Sequence, residues 1–169
     1  LTKPKYYDWF QKKNEIVICY DDINYIPVSN KNALLSCNTG TIIPEKIFKK
    51  FLISINIHPG SFEFPGRDPH HWACYKNSST YGATAHIISK DVDQGRIIDY
   101  ELVDINKNLC PSDYKNIGNN CAKKLSIRVI KNLLSDNIYN KKATWSNPSK
   151  KRSDLLKMCK FEGLDKKEI

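Results

Sequence analysis

The run from Gly82 to Asp104, GATAHIISKDVDQGRIIDYELVD, decides the reading of this chain. Gly82–Lys90 and Arg96–Asp104 are rich in β-branched and aromatic residues. Asp91-Val92-Asp93-Gln94-Gly95 supplies turn residues between them, so the run reads as a β-hairpin. Outward on the N-terminal side, Pro44 opens a helical spacing at the position where its missing N–H costs nothing. Ile47, Phe48, Phe51, Leu52 and Ile55 share one face of that helix and Lys46, Lys49 and Lys50 lie elsewhere. The helix is expected to end before His58-Pro59-Gly60. Between helix and hairpin, Ser61–Thr80 is rich in Pro, Gly, His and aromatic residues and reads as a long loop with short strands.

Further out, Glu15–Tyr20 and Ile23–Val28 read as another hairpin across Asp21-Asp22, with Pro27 confining its second strand to an edge. Leu1–Asn14 reads as an aromatic, lysine-bearing arm, and Ser29–Thr41 and Asn106–Asn120 as polar loops. Past Cys121, Leu125, Val129, Ile130, Leu133 and Leu134 form a helical stripe, and Ser153 is placed to cap a last short helix holding Leu155, Leu156 and Cys159. This order is α+β, one helix packed on an antiparallel sheet. Residues 33–124 are expected to form the core, 1–32 an N-terminal arm with an opening hairpin, and 125–169 a basic helical extension.

The 169 residues suit one domain, and 40% apolar residues with only 7 Gly and 8 Pro suit a packed core rather than a disordered chain. The longest apolar stretches, Ile16–Tyr20 and Phe51–Ile55, fall far short of the roughly 20 residues a membrane helix needs, so no membrane association is expected. The net charge of +9 is concentrated in the C-terminal quarter. Such an end favours phosphate backbones, anionic membranes or acidic proteins, although a solvated face is the commoner meaning of a lysine run. The six cysteines include no C-x-x-C pair and no zinc-ligand spacing, so no metal is expected. Their even number fits disulfides of a secreted protein, with buried thiols in a cytosolic one as the alternative. The secreted reading takes Leu1 as the start of a mature chain. Neither a Walker loop nor a G-x-G-x-x-G segment occurs, and no cofactor is expected.

Glu63, Arg67, Asp68, His70 and His71 form the densest ionisable cluster. Glu, His and Arg are the residues a metal-free ribonuclease needs as base, acid and phosphate clamp. Neighbours in extended backbone alternate direction, so solvated loop side chains are the competing account. Trp72, Tyr75, Tyr81 and Tyr100, together with Arg67, are candidate RNA-binding residues, core packing being the usual role of such aromatics.

Cys37-Asn38-Thr39-Gly40-Thr41-Ile42-Ile43-Pro44-Glu45, Phe62-Glu63-Phe64-Pro65-Gly66, Ala85-His86-Ile87-Ile88, Arg96-Ile97-Ile98 and Gly118-Asn119-Asn120-Cys121 together resemble the secreted ribonuclease-like effectors of powdery mildew fungi. Those are related in fold to small microbial ribonucleases of the T1 and F1 type. The resemblance covers about Ala33–Lys124. It implies a microbial ribonuclease-like fold and a disulfide between Cys37 and Cys121. It also implies a catalytically inactive virulence effector, translocated into host plant cells, with host proteins, an immune receptor or RNA as partners. The catalytic Arg position falls near Ala85 or His86 and the final His near Tyr100 or Glu101, so both roles look lost. The alternative is an active ribonuclease with a rearranged site drawn from Glu63, Arg67, His70, His71 and His86.

Overall fold

The computed structural model describes residues 1, 22–106, 108–135 and 141–159. Four strands form one sheet: β1 (Ala33–Cys37), β2 (Ile53–His58), β3 (Thr80–Ile87) and β4 (Ile97–Asp104), in the spatial order β1-β2-β3-β4. β1 and β2 run parallel, while β2 with β3 and β3 with β4 run antiparallel. The hairpin expected over 82–104 is present as β3 and β4.

The sheet is therefore mixed and not the all-antiparallel sheet of the ribonuclease reading. The difference arises at the helix expected over 44–55. Only Glu45–Phe48 is helical (α1), a single turn. Beyond it Ile53-Ser54-Ile55-Asn56-Ile57-His58 alternates at period two, with β-branched residues at every second position, and this alternation prevails over the 3.6-residue spacing that precedes it. Ala33–Cys37, read as polar loop, pairs in register with Ile53–Ile57. Ile23–Tyr25 is a 3-10 turn capped by the Asp22 side chain instead of a strand, and the partner expected over 15–20 lies outside the described residues, as does the arm over 2–14.

Pro69–Tyr75, read as loop, is helix α2, with Pro69 in the first turn where it lacks nothing. The long helix α3 runs from Pro111 to Leu134, starting ten residues before Cys121 and passing through Lys124, so core and extension share it. The short C-terminal helix α4 covers Arg152–Met158.

α3 lies across one face of the sheet. Ile55 and Ile57 of β2, Ala83 and Ala85 of β3, and Ile98 of β4 meet Cys121, Ala122, Leu125 and Val129 in one buried cluster. Fully burying a side chain such as Leu125 is worth about 1.5–3 kcal/mol. Arg128 ties the helix to the edge strand through Asp99 (2.6 Å), Glu101 (2.7 Å) and the Tyr100 carbonyl (3.0 Å). Gly118 lets α3 approach the turn after β2, since a Cβ there would stand 2.5 Å from the Pro59 oxygen.

The implied Cys37–Cys121 bridge does not form. Both are buried free thiols inside the sheet–helix core; Cys37 Sγ lies 3.2 Å from Ser126 Oγ. Burial pushes the Cys37 thiol up to about 11. Cys74, Cys110 and Cys159 are free as well, and Cys19 lies outside the described residues.

Candidate functional site

Strand alternation separates chemistry from packing. With Ile55 and Ile57 turned to α3, Asn56 and His58 project from the opposite face of β2, and the pairing of Asn56 with His86 brings the histidine of β3 to the same face. The β3–β4 loop then folds back and places Asp93 over them.

Asp93 is the hub. Its Oδ1 accepts from Asn56 Nδ2 (3.1 Å) and lies 3.2 Å from His86 Nε2. Its Oδ2 accepts from the Gly66 backbone N–H (3.0 Å) and lies 3.2 Å from His58 Nδ1. Asp93 sits in the left-handed region (φ 49°), a conformation that costs a non-glycine residue of order 1–3 kcal/mol. Gly66 adopts φ 93°, where a side chain would be strained and would collide with the Lys150 backbone.

His58 is buried, and both of its ring nitrogens face acceptors: Nδ1 the Asp93 carboxylate, Nε2 the Phe64 carbonyl at 2.9 Å. Two acceptors need two N–H donors, so the hydrogen bonds suit the imidazolium. Burial opposes that charge, but Asp93, by charge and by hydrogen bond, and then the Phe64 carbonyl outweigh it and raise the His58 pKa above its ordinary value. Burial likewise disfavours the Asp93 anion, and the charge and hydrogen bond of His58, followed by those of His86, reverse the effect and hold Asp93 well below the usual carboxylate range. On His86, the Ile87 carbonyl takes the Nδ1 proton (2.9 Å), which turns the Nε2 edge toward Asp93 and Asn56.

This array forms the floor of a cleft of about 1090 Å³. One wall carries Ile42, Ile88 and Val92, with Ile42 73% and Val92 43% exposed. The lining is also rich in basic side chains, with Arg67, Lys90, Lys115, Lys150, Lys151 and Arg152. Of the lining carboxylates besides Asp93, Asp68 binds Arg152 at 2.9 Å, and Asp91 is the other. Among the described residues, no cluster of His, Cys, Asp or Glu is arranged to hold a metal ion.

Of the candidates named from sequence, the structure brings His86 to this centre and sets Arg67 and His70 on the cleft wall. Glu63 instead receives the Ser78 hydroxyl at 3.4 Å. The His71 ring lies against that of His70 on α2, at 4.5 Å and tilted by 43°. Burial first, then the neighbouring His71 charge, lowers the His70 pKa to about 4. The five therefore do not converge as a ribonuclease site. Tyr81 is wholly buried with its hydroxyl on the Pro59 carbonyl, so its ring is core and not a stacking surface. Trp72 lies under Lys150, Tyr75 is exposed, and Tyr100 packs against Phe62 and Lys141 at the far edge of the sheet. Asn56, His58 and Asp93 were absent from the sequence candidates. The spacing that could have exposed them is the alternation of Asn56 and His58 with isoleucines, followed by a second histidine and an acidic turn.

A family model described as formyl transferase matches residues 31–130. The formyltetrahydrofolate deformylase of Corynebacterium sp. (strain P-1) is 36% identical over 61 residues, covering 36% of this chain and 21% of that protein. Among solved structures, a 4-N formyltransferase from Francisella tularensis superposes with a TM-score of 0.68 at 24% identity, covering 79% of this chain and 55% of that one. A sugar N-formyltransferase from Shewanella sp. gives 0.67 at 20% identity, covering 78% and 53%. The N-formyltransferase of Helicobacter canadensis, solved with folinic acid and dTDP-3-aminofucose, gives 0.65 at 22% identity, covering 86% and 54%. The chain thus spans about half the length of these solved relatives and a fifth of the deformylase. These matches overturn the resemblance to ribonuclease-like effectors. With it go the virulence-effector role, the alternative ribonuclease activity and the expectation of a non-enzyme, because the matched relatives are enzymes of formyl transfer or deformylation.

Proposed function

The chain belongs to the formyl transferase family, and from that premise we propose that its cleft moves a formyl group from a reduced-folate carrier to an amine, with Asn56, His58 and Asp93 as the working residues. The observation that carries this reading is the single buried carboxylate that holds an asparagine amide and two imidazoles at the floor of a ligand-sized cleft. The exposed apolar side chains of Ile42 and Val92 on one wall suit the flat ring of a folate, which would cover them. The carrier supplies a formyl carbon bonded to nitrogen, ready for attack by a second nitrogen.

The residues can then be given roles. Asn56 turns its Nδ2 to Asp93, which leaves its Oδ1 on the other side of the amide to accept an N–H of the attacking amine. His58, kept charged by Asp93, is a buried donor at the cleft floor. Its two N–H groups rest on Asp93 and on the Phe64 carbonyl, so substrate binding exchanges the Phe64 carbonyl for the formyl oxygen. The freed Nε2–H then stabilises the developing oxyanion and can pass its proton to the nitrogen that the formyl group leaves, the imidazole being recharged by the proton the amine sheds. The amine loses one proton and the departing nitrogen gains one, so no net proton is consumed. The basic rim supports an acceptor that carries an anionic group alongside its amine.

The test is incubation of the protein with 10-formyltetrahydrofolate and a panel of phosphorylated or nucleotide-linked amino sugars, reading formylated amine by mass spectrometry and free formate in parallel. Formylated amine, lost in Asn56→Ala and His58→Gln, is the expected result. Formate without formylated amine would replace amine transfer by hydrolysis, and neither product would refute the reading.

A further inference from the structure

Residues 141–152 form a strap beyond the range the family model matches, with Trp145 outside the cleft lining and 148–152 on the cleft rim. Five hydrogen bonds fasten it to the loop after β2: Ser146 N–H to Phe62 O (3.1 Å), Asn147 Nδ2 to Glu63 O (2.8 Å), Lys150 N–H to Pro65 O (3.0 Å), Arg67 N–H to Lys150 O (2.8 Å) and Arg152 Nη2 to Asp68 Oδ1 (2.9 Å). Two more fasten it to the β3–β4 loop: Gln94 Nε2 to Asn147 O (3.2 Å) and Trp145 Nε1 to Gly95 O (2.7 Å). The first loop provides the Phe64 carbonyl for His58 and the Gly66 N–H for Asp93; the second provides Asp93 itself. One segment therefore sets the separation of the two halves of the charge pair.

Trp145 stands at the join. Its ring meets His58 at 6.0 Å and 71°, and His86 at 5.1 Å and 83°. Both histidines line the cleft and Trp145 does not, so the indole backs them from outside the ligand space. We propose that Trp145 is a positioning residue that seals the outer side of His58 and His86 from water and, through Gly95, holds Asp93 within reach of both. The inference deepens the formyl-transfer reading and rests on it for its kinetic consequence only.

The physical basis is dielectric. Admitting water behind the imidazoles weakens the pull of Asp93 on His58 and relieves the burial penalty together; because the pull and hydrogen bonds outweigh that penalty in the native site, the upward displacement of His58 shrinks toward its ordinary value. The charged and titratable groups facing His58 are Asp93 from the β3–β4 loop and, across that carboxylate, His86 from β3; the strap offers it the neutral indole and the loop after β2 offers the neutral Phe64 carbonyl.

The experiment is a histidine-labelled NMR titration of the full chain as wild type, Trp145→Phe and Trp145→Ala, with thermal melts as a check of folding. His58 is expected to titrate above its ordinary range in wild type and to fall toward about 6.5 in Trp145→Ala. Trp145→Phe, which keeps a ring and loses the Gly95 bond, is expected between the two. In the formyl-transfer assay, kcat should fall on the order of 10²-fold in Trp145→Ala, the size of effect a misplaced reacting group produces. KM for the formyl donor should stay put. An unchanged His58 titration in a folded variant would overturn the proposal, as would a loss carried wholly by KM. Should Trp145→Ala fail to fold, Trp145→Phe carries the same test. A His58 shift in a protein that transfers no formyl group would leave the positioning role standing and remove the formyl-transfer reading instead.

Discussion

Replacing Asp93 with Asn changes one oxygen to an NH2 group and nothing in volume, so its effect isolates charge and hydrogen-bond polarity. In the native site the two carboxylate oxygens face four nitrogens: Asn56 Nδ2, His86 Nε2, the Gly66 amide and His58 Nδ1. An asparagine offers one acceptor oxygen. If that oxygen stays with Gly66 and His58, the new NH2 meets the Asn56 NH2, donor against donor. If it turns round, the NH2 meets the Gly66 N–H, which belongs to the backbone and cannot rotate. Either choice strands a buried donor, at about 1–3 kcal/mol. His58 also loses its counter-charge inside a buried pocket, and breaking a buried pair from one side costs about 3–5 kcal/mol when the remaining charge cannot discharge. His58 can discharge by releasing its proton, so the expected loss is nearer 3 kcal/mol at neutral pH and larger in acid, where the proton is forced on. The assay is urea unfolding from about pH 5 to 8 with a histidine NMR titration alongside. Stability equal to wild type across that range, with His58 still titrating above its ordinary value, would refute the account of Asp93 as the hub.

The same linkage gives the pH profile of the wild-type protein. Asp93 has a depressed pKa in the folded state, so its contribution is complete above the unfolded value of about 3.9 and is lost as pH falls below it; His58 has a raised pKa, so its contribution is complete below about 6.5 and is lost as pH rises through the folded value. Unfolding free energy should therefore peak between these limits; in Asp93→Asn the decline below about pH 4 should shrink, while a new decline should appear as pH falls through about 6.5 and the unpaired His58 is forced to charge. Gly118→Ala should cost about 1–3 kcal/mol by chemical denaturation, because the added Cβ would meet the Pro59 oxygen at 2.5 Å and Tyr81 at 3.1 Å and push α3 off the turn that follows His58. Alkylation of the native protein should modify exposed Cys110 and Cys159 first and Cys37 only on unfolding, and a reducing agent should leave the melting temperature unchanged; recovery of a Cys37–Cys121 peptide by mass spectrometry would contradict the free-thiol core.

The hairpin over 82–104 was legible because both of its strands carry β-branched residues between turn residues, and local chemistry agreed with the tertiary outcome. The segment 44–58 was not, because two periods overlap in it. Ile47, Phe48, Phe51 and Leu52 follow a helical spacing, and Phe51 does bury, with Leu34 and Ile43, on the side of the sheet away from the main core. Ile53, Ile55 and Ile57 follow a strand spacing, and Ile55 belongs to both patterns, which let the helix run on past its true end. Helix α3 began earlier than its apolar stripe for a related reason. Its first turns pack Tyr114 against Tyr81 and bring Gly118 against Pro59, neither of which adds an aliphatic residue to the pattern.

The site was hidden by the same misreading. Taken as the end of a helix, Asn56 and His58 project more than a hundred degrees apart; on a strand they share a face. Once β2 is a strand, its antiparallel pairing with β3 places His86 opposite Asn56, and the turn residue Asp93 has three polar side chains beneath it without any further assumption. Local density of ionisable residues pointed to 63–71 instead, yet in that stretch the side chains go to separate neighbours: Glu63 to Ser78, Asp68 Oδ1 to Arg152, and the His71 ring against that of His70. Convergence on one buried acceptor distinguishes the centre at Asp93, and convergence is a property of strand register, which a one-residue shift of β2 against β3 would abolish by turning Asn56 and His58 into the helix-packed core.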